Sequence, residues 1–226
     1  YHLCHSNRWR VQATMHNKLA RFFVFLGLTA VLITACNTAE TYSETFDEPG
    51  SWRVENSSDV VGEVHDGIFD FTVAADELTS WTTAGENFSD GIYSVEATQV
   101  AGPDNNAYGM LFRVDDENDN FYSFQISGDG FVWIGRYRDG GAEEAEPIVN
   151  DWWFESPVIN QGNATNKLSV QAEGQNLIFF VNDQEVGRVT DDAFSSGDIG
   201  LMVRTLGVGG VQVQFDNFSV APLPES

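Results

Sequence analysis

From Thr41 onward the sequence contains no long stretch with apolar residues at helical spacing. It runs instead in short segments that alternate, or stay apolar, between Gly, Asn and Asp. A side-chain period of two is what a strand needs to bury one face, so the pattern restricts the body of the chain to an all-β fold. Strands are expected at Gly67 to Val73, Gly91 to Val100, Ala107 to Val114, Phe121 to Ser127 and Phe131 to Arg138. Five more are expected at Lys167 to Ala172, Leu177 to Asn182, Glu185 to Thr190, Ile199 to Arg204 and Val211 to Val220. About ten strands with no Pro- or Ser-rich linker and no repeat of fixed period fit one two-sheet antiparallel β-sandwich, a jelly roll over residues 42–221, better than two small domains. Residues 222–226 form a short tail in this reading. Ser127-Gly128-Asp129-Gly130, Glu173-Gly174-Gln175-Asn176 and Asn182-Asp183-Gln184 supply the hairpin turns.

Alternation also sorts side chains by face. Tyr108, Met110 and Phe112, then Tyr122, Phe124 and Ile126, then Val132 and Ile134, then Ile199, Leu201 and Val203 choose the core side. The opposite faces carry Leu111 and Arg113, Ser123 and Gln125, Phe131, Trp133 and Tyr137, and Met202 and Arg204. If these strands share one sheet, Arg113, Gln125, Trp133, Tyr137 and Arg204 make a shallow surface suited to a sugar. An indole stacks on the apolar face of a pyranose, while Arg and Gln bond its hydroxyls or a uronate carboxylate. The alternatives are structural: the two Arg pair with the abundant carboxylates, and Trp133 and Tyr137 pack under a loop. Trp152-Trp153-Phe154 is a second aromatic group, expected to cover the core with one ring beside the site.

The order of Phe46-Asp47, Trp52, Asp66-Gly67, Tyr108 to Arg113, Asn120 to Phe124, Asp129-Gly130, Asn166-Lys167-Leu168, Val181-Asn182, Gly197 to Leu201 and Phe215-Asp216-Asn217-Phe218 resembles a concanavalin A-like jelly roll. It looks most like the laminin G-like and DUF1080 (3-keto-disaccharide hydrolase) group, from about Tyr42 to Val220. That resemblance implies two curved antiparallel sheets. It leaves function open among lectins, carbohydrate-binding modules, glycosidases and adhesion modules. It also implies a structural calcium between the first and last strands, for which Glu44, Asp47 and Asp216 occupy suitable positions. The Glu-x-Asp-x-x-Glu strand motif of laminarinase-like enzymes on this fold is missing, and the cluster Glu143, Glu144 and Glu146 reads as a solvated loop.

Other chemistries find few parts. His65 is the only His after Cys36, and no Cys follows Cys36, so neither zinc nor a disulfide framework nor a Ser-His-Asp triad is supported. Asp115 to Asn120 is an oxygen-rich turn without the spacing of an EF-hand loop. The chain has 11 Lys+Arg against 34 Asp+Glu, and all the acid lies after Cys36, where 7 basic residues remain and the formal charge is −27. Nucleic-acid binding and docking on anionic lipid are therefore excluded as expectations.

The N-terminal part reads as an address. Lys18 and Arg21 precede the apolar run Phe22 to Ala35, which is too short for a bilayer span and ends in small residues before Cys36. Ile33-Thr34-Ala35-Cys36 resembles the lipobox of bacterial lipoproteins, which implies that residues 1–36 end in a lipidated Cys36, with 37–41 as a tether. Met15 is a plausible start within this segment. The combined expectation is a lipoprotein of the bacterial cell envelope, facing outward and touching the membrane only through its lipid. Its jelly roll would bind carbohydrate or another extracellular ligand without catalysis. The alternatives are a glycoside or 3-keto-glycoside hydrolase and a protein-binding adhesion module. Mass spectrometry of the chain made in a bacterial host with its leader should show acylated Cys36, and Cys36→Ser should abolish both that mass and recovery in the membrane fraction.

Overall fold

The computed structural model describes residues 41–52, 56–139 and 145–225. The expected leader 1–36 with its expected lipidation site Cys36, most of the tether, Glu143 and Glu144 lie outside them. The described strands are β1 (Tyr42–Glu44), β2 (Val60–His65), β3 (Ile68–Val73), β4 (Thr79–Thr83), β5 (Gly91–Ala101), β6 (Ala107–Asp115), β7 (Asn120–Ser127) and β8 (Phe131–Tyr137). They continue with β9 (Glu146–Pro147), β10 (Phe154–Glu155), β11 (Asn166–Glu173), β12 (Asn176–Val181), β13 (Gln184–Thr190), β14 (Asp198–Arg204) and β15 (Val211–Ala221). All pairings are antiparallel. The larger sheet runs β13-β12-β11-β5-β15-β3-β2 with β1 added to β15, and the smaller runs β10-β8-β7-β6-β14-β4 with β9 added to β8.

Every strand expected from the sequence is present, to within one residue at each end. The unexpected ones are short or polar. β2 and β4 are edge strands whose side chains are mostly half-exposed, so neither needs a clean apolar alternation. The Asn182-Asp183 turn between β12 and β13 has positive φ at both residues, 51° and 63°, the geometry that twists a two-residue hairpin the right way. Asn182 also accepts the Lys167 N–H through its side chain and donates to the Val158 carbonyl, tying the turn to its neighbours.

The main core lies between the sheets and contains the residues that alternation assigned to it, among them Tyr108, Met110, Phe112, Tyr122, Phe124, Ile134, Ile199 and Leu201. Aromatic rings fill it. Phe112 stacks on Tyr122 at 5.1 Å and meets Tyr93 and Phe179, while Trp52 packs on Phe46, Phe69 and Phe218. Two bulges keep the parity correct. In β15 the register breaks between Asp216 and Ser219, with Asn217 at φ 52°, so Phe215 and Phe218 are both fully buried although they stand three positions apart, an offset that plain alternation would send to opposite faces.

The second bulge, in β6, overturns one expectation. Arg113 stands where the register with β7 breaks, at φ 52°, and does not share the outer surface with Leu111. It is 1% exposed. Its Nη1 donates to the Gly174 and Phe194 carbonyls at 2.9 Å each, its Nε to the Ser89 carbonyl at 3.2 Å and its Nη2 to Asp90 Oδ1 at 3.2 Å. Arg113 is therefore a structural tie that closes one end of the sandwich and does not face a ligand. Burial pushes the neighbouring Tyr93 phenol up to about 12, with Arg113 pulling the other way, and its hydroxyl donates to the same Ser89 carbonyl. Arg113→Leu strands the Gly174 and Phe194 carbonyls and leaves Ser89 to Tyr93 alone, and should cost roughly 3 kcal/mol or more, read as a lower urea midpoint.

Candidate functional site

The outer face of the smaller sheet brings the remaining expected site residues together. Pairing aligns Met202, Gly109, Gln125 and Trp133 in one row across β14, β6, β7 and β8, and Arg204, Ala107, Ser127 and Phe131 in the next. Tyr137 pairs with Phe121 at the opposite end of β8. Gln125, Trp133, Tyr137 and Arg204 thus project from one surface.

That surface is not the open platform expected for Trp133 and Tyr137. Both rings are only 3% exposed, inside a second apolar cluster with Leu111, Val114, Phe121 and Met202, against which Trp81, Ala145 and Trp153 pack. Trp133 lies flat over Gly135, so close that a Cβ there would collide with the indole. Tyr137 stacks on Phe121 at 4.8 Å and meets Trp133 edge-on at 5.6 Å. Its hydroxyl accepts from Arg204 Nη1 at 3.4 Å. By register, the line from Tyr137 to Arg204 crosses Ser123 on β7 and Gly109 on β6. Beside that crossing Gln125, 1% exposed, donates from Nε2 to Ser123 Oγ at 2.7 Å, and Ser123 Oγ turns to Met202 Sδ at 3.7 Å.

The open part of the site lies at the rim. A pocket of about 160 Å³ is lined by Asn105, Ser127, Asp129, Phe131, Trp153 and Leu206. It continues the row of Arg204, Ser127 and Phe131 and is built where three turns meet. Buried Asn106 pins two of them, donating to the Pro103 and Val208 carbonyls and accepting the Leu206 N–H at 2.7 Å. Ser127 Oγ donates to Asp129 Oδ1 and accepts the Phe131 N–H, which fixes the third. Sequence reasoning missed Asn105, Asp129 and Leu206, since alternation says nothing about turns. Of the Trp pair, Trp153 lines the pocket and Trp152 is 60% exposed.

Carboxylates are sparse on the face itself. The inner strands β8, β7, β6 and β14 project none onto its rows; Asp198 stands beyond a break in register and accepts the Gly85, Glu86 and Ile199 amides. Asp129 and Glu155, whose strand partner is Phe131, stand only at the rim. In the Asp115 turn, Asn118 Nδ2 and the Glu117 and Asn118 amides hold the Asp115 carboxyl below the ordinary range, while Asp116 accepts from Thr83 Oγ1 of the edge strand β4 at 3.1 Å and is raised by burial. Glu146 pairs with Arg136 at 2.9 Å.

The expected calcium ligands separate. Glu44 accepts the Phe46 N–H and lies against Gly50 on the side of Tyr42 and Glu86. Asp216 faces Glu96 and Asp47 instead; burial first, then these two charges, raise its carboxyl above the ordinary range, against one amide from Asn217. Among the described residues no three His, Cys, Asp or Glu side chains are arranged to hold a metal ion.

No family model matches the sequence, and no curated protein matches it. Solved structures do match the fold. A carbohydrate-binding module of the CBM66 type from Bacillus subtilis is 22% identical over 76% of this chain and 96% of its own, with a TM-score of 0.59. A prokaryotic β-1,3-1,4-glucanase (lichenase) from a mouse hindgut metagenome is 15% identical over 81% and 99%, with a TM-score of 0.62. A Bacillus subtilis protein of unknown function with a galectin-like fold is 13% identical over 80% and 94%, with a TM-score of 0.54. The chain folds as a concanavalin A-like jelly roll, like carbohydrate-binding modules and glucanases built on the same two sheets.

Proposed function

We propose that this chain is a non-catalytic carbohydrate-binding jelly roll, carried on a lipid at Cys36 and facing outward from a bacterial envelope. The observation that carries the reading is the chemistry of the outer face. Aromatic rings, amide, hydroxyl and one Arg occupy it, while its inner strands project no carboxylate onto the site. Glycoside hydrolysis on two carboxyl groups needs both beside the scissile bond, roughly 5–10 Å apart. A sugar ring entering the rim pocket would meet Phe131 and Trp153 as apolar walls, with Asn105, Ser127 and Asp129 for its hydroxyls.

The pocket and the first strand lie at opposite ends of the sandwich. Tyr42 pairs with Val220, which pairs with Tyr93 near the start of β5, whereas the pocket lies at the far end, where β5 leads into β6 and β7 into β8. The hydrolase remains the second reading because Asp129 and Glu155 flank Phe131 at the rim.

The full-length chain in detergent should be retarded in affinity gels by at least one of mixed-linkage β-glucan, laminarin, levan, mannan or polygalacturonate, with no reducing sugar released. Phe131→Ala or Trp153→Ala should weaken retention roughly fivefold or more, the value of about 1 kcal/mol of stacking. Released sugar, lost on Asp129→Asn or Glu155→Gln, would replace this reading with the hydrolase; pull-down of protein with no glycan retained would favour the adhesion module.

At the expected calcium position Asp216 faces Asp47 and Glu96. Because the folded-state pKa of Asp216 is raised, its charged form opposes folding, and that loss of stability sets in as pH rises through the carboxylate range. Without calcium, Asp216→Asn should raise Tm at neutral pH, and the gain should vanish in acid. A structural calcium at the expected Asp47 and Asp216 would raise the Tm of the wild type and leave that of Asp216→Asn unchanged.

A further inference from the structure

Gln125 Oε1 is buried and has no hydrogen-bond partner. Its Nε2 is spent on Ser123 Oγ, and turning the amide over only exchanges the problem: Ser123 could then donate to Oε1 and the NH2 would be left alone. Either way one end of a buried amide is unpaired in the middle of an apolar cluster, on a face whose pairing sets it directly opposite Trp133. Such a group costs stability where an apolar side chain of the same shape would not. Arg204 and Tyr137, from opposite corners of the face, meet beside it. Arg204, like Arg138 beyond the end of β8, has no carboxylate partner among the described residues, whereas Arg113, Arg136, Lys167 and Arg188 all do. Its contact with Tyr137 is a single long hydrogen bond, which a ligand rich in acceptors can replace.

We infer that Gln125 is the specificity-determining residue of a second sugar position, closed in the free protein by the Arg204–Tyr137 contact. The inference rests on the carbohydrate reading above. A glycan enters with one ring in the rim pocket; its next ring displaces the Arg204–Tyr137 contact, stacks on Trp133 and gives a hydroxyl hydrogen bond to Gln125. A monosaccharide fills the rim alone and leaves the contact shut. Binding of longer chains is therefore gated, because only the opened protein takes the second ring.

The test uses whichever of the five polysaccharides the wild type retains, together with its monosaccharide and its tetrasaccharide, on the full-length chain in detergent. Tetrasaccharide association followed by Trp fluorescence should show an observed rate that saturates with concentration, and Tyr137→Phe, which removes the acceptor of the gate, should raise the plateau. Gln125→Met keeps the shape and removes the amide. It should weaken tetrasaccharide binding roughly fivefold or more, leave monosaccharide binding unchanged, and leave Tm equal or higher. Unchanged tetrasaccharide affinity overturns the inference. A lowered Tm overturns it as well, since an amide that stabilises the free face is structural. A plateau that Tyr137→Phe leaves in place removes the gate. Failure of the carbohydrate reading is distinguishable: there the wild type itself retains none of the five polysaccharides.

Discussion

Two sheets can share a core only if every strand keeps one parity of side chains turned toward the other sheet, and the rest of this structure follows from how that parity is kept. Tyr108, Met110 and Phe112 on β6 and Tyr122, Phe124 and Ile126 on β7 hold it by plain alternation. Where the chain must depart from it, a bulge resets the count. At Asn217 the reset puts both Phe residues of Phe-Asp-Asn-Phe into the core. At Arg113 it turns a cation from the expected binding face to the end of the sandwich, where backbone carbonyls from three separate turns need donors. The same device thus builds the core and removes a residue from the site.

The cations are consequently committed by position more than by number. Arg113 is held by carbonyls and Asp90, Arg136 by Glu146 and Asp191, Lys167 by Asp183 and Arg188 by Glu185. Arg136 adds a second tie, since Asp191 also accepts from the Tyr122 hydroxyl that lies under the β13 end of the sandwich. Among the described residues Arg138 and Arg204 carry no carboxylate partner, and of the two it is Arg204, bonded only to a neutral phenol, that stands in the rows of the outer face. A ligand there meets one positive charge at a corner and acids at the rim, an arrangement better matched to neutral hydroxyls than to a chain of uronates.

The sequence made the fold legible because alternation is a property of single residues along one strand. Ten strands, the core side of β6, β7, β8 and β14, and the placement of Gln125, Trp133, Tyr137 and Arg204 on a common face all follow from it. What alternation cannot carry is anything decided between strands. It gives no sign that Gly135 lets Trp133 lie down on the sheet, that Leu111, Met202 and Phe121 close around the rings, or that turns around Asn105, Asp129 and Leu206 meet. The Arg113 bulge was equally hidden, since Leu111-Phe112-Arg113-Val114 reads as unbroken alternation until its partner strand is counted. Trp152 and Trp153 illustrate the same limit: adjacent in a loop, they differ because Trp153 packs against the outer apolar cluster while Trp152 is 60% exposed.

The site and the core occupy opposite faces of the same four strands, and this explains why so much of the site is apolar. A slip of one residue in β7 would exchange Phe121, Ser123 and Gln125 with Tyr122, Phe124 and Ile126, putting an amide into the main core and three large side chains outside. The inner parity is specified by at least ten large buried side chains, so it holds the register whatever the outer face carries. The outer face is then free to combine rings that cover the sheet with a few polar groups left incompletely paired. An unpaired acceptor at Gln125 is tolerable there because the register beneath it is secured from the other side. The same amide one residue away, among Tyr122, Phe124 and Ile126, would work against the packing that defines the strand.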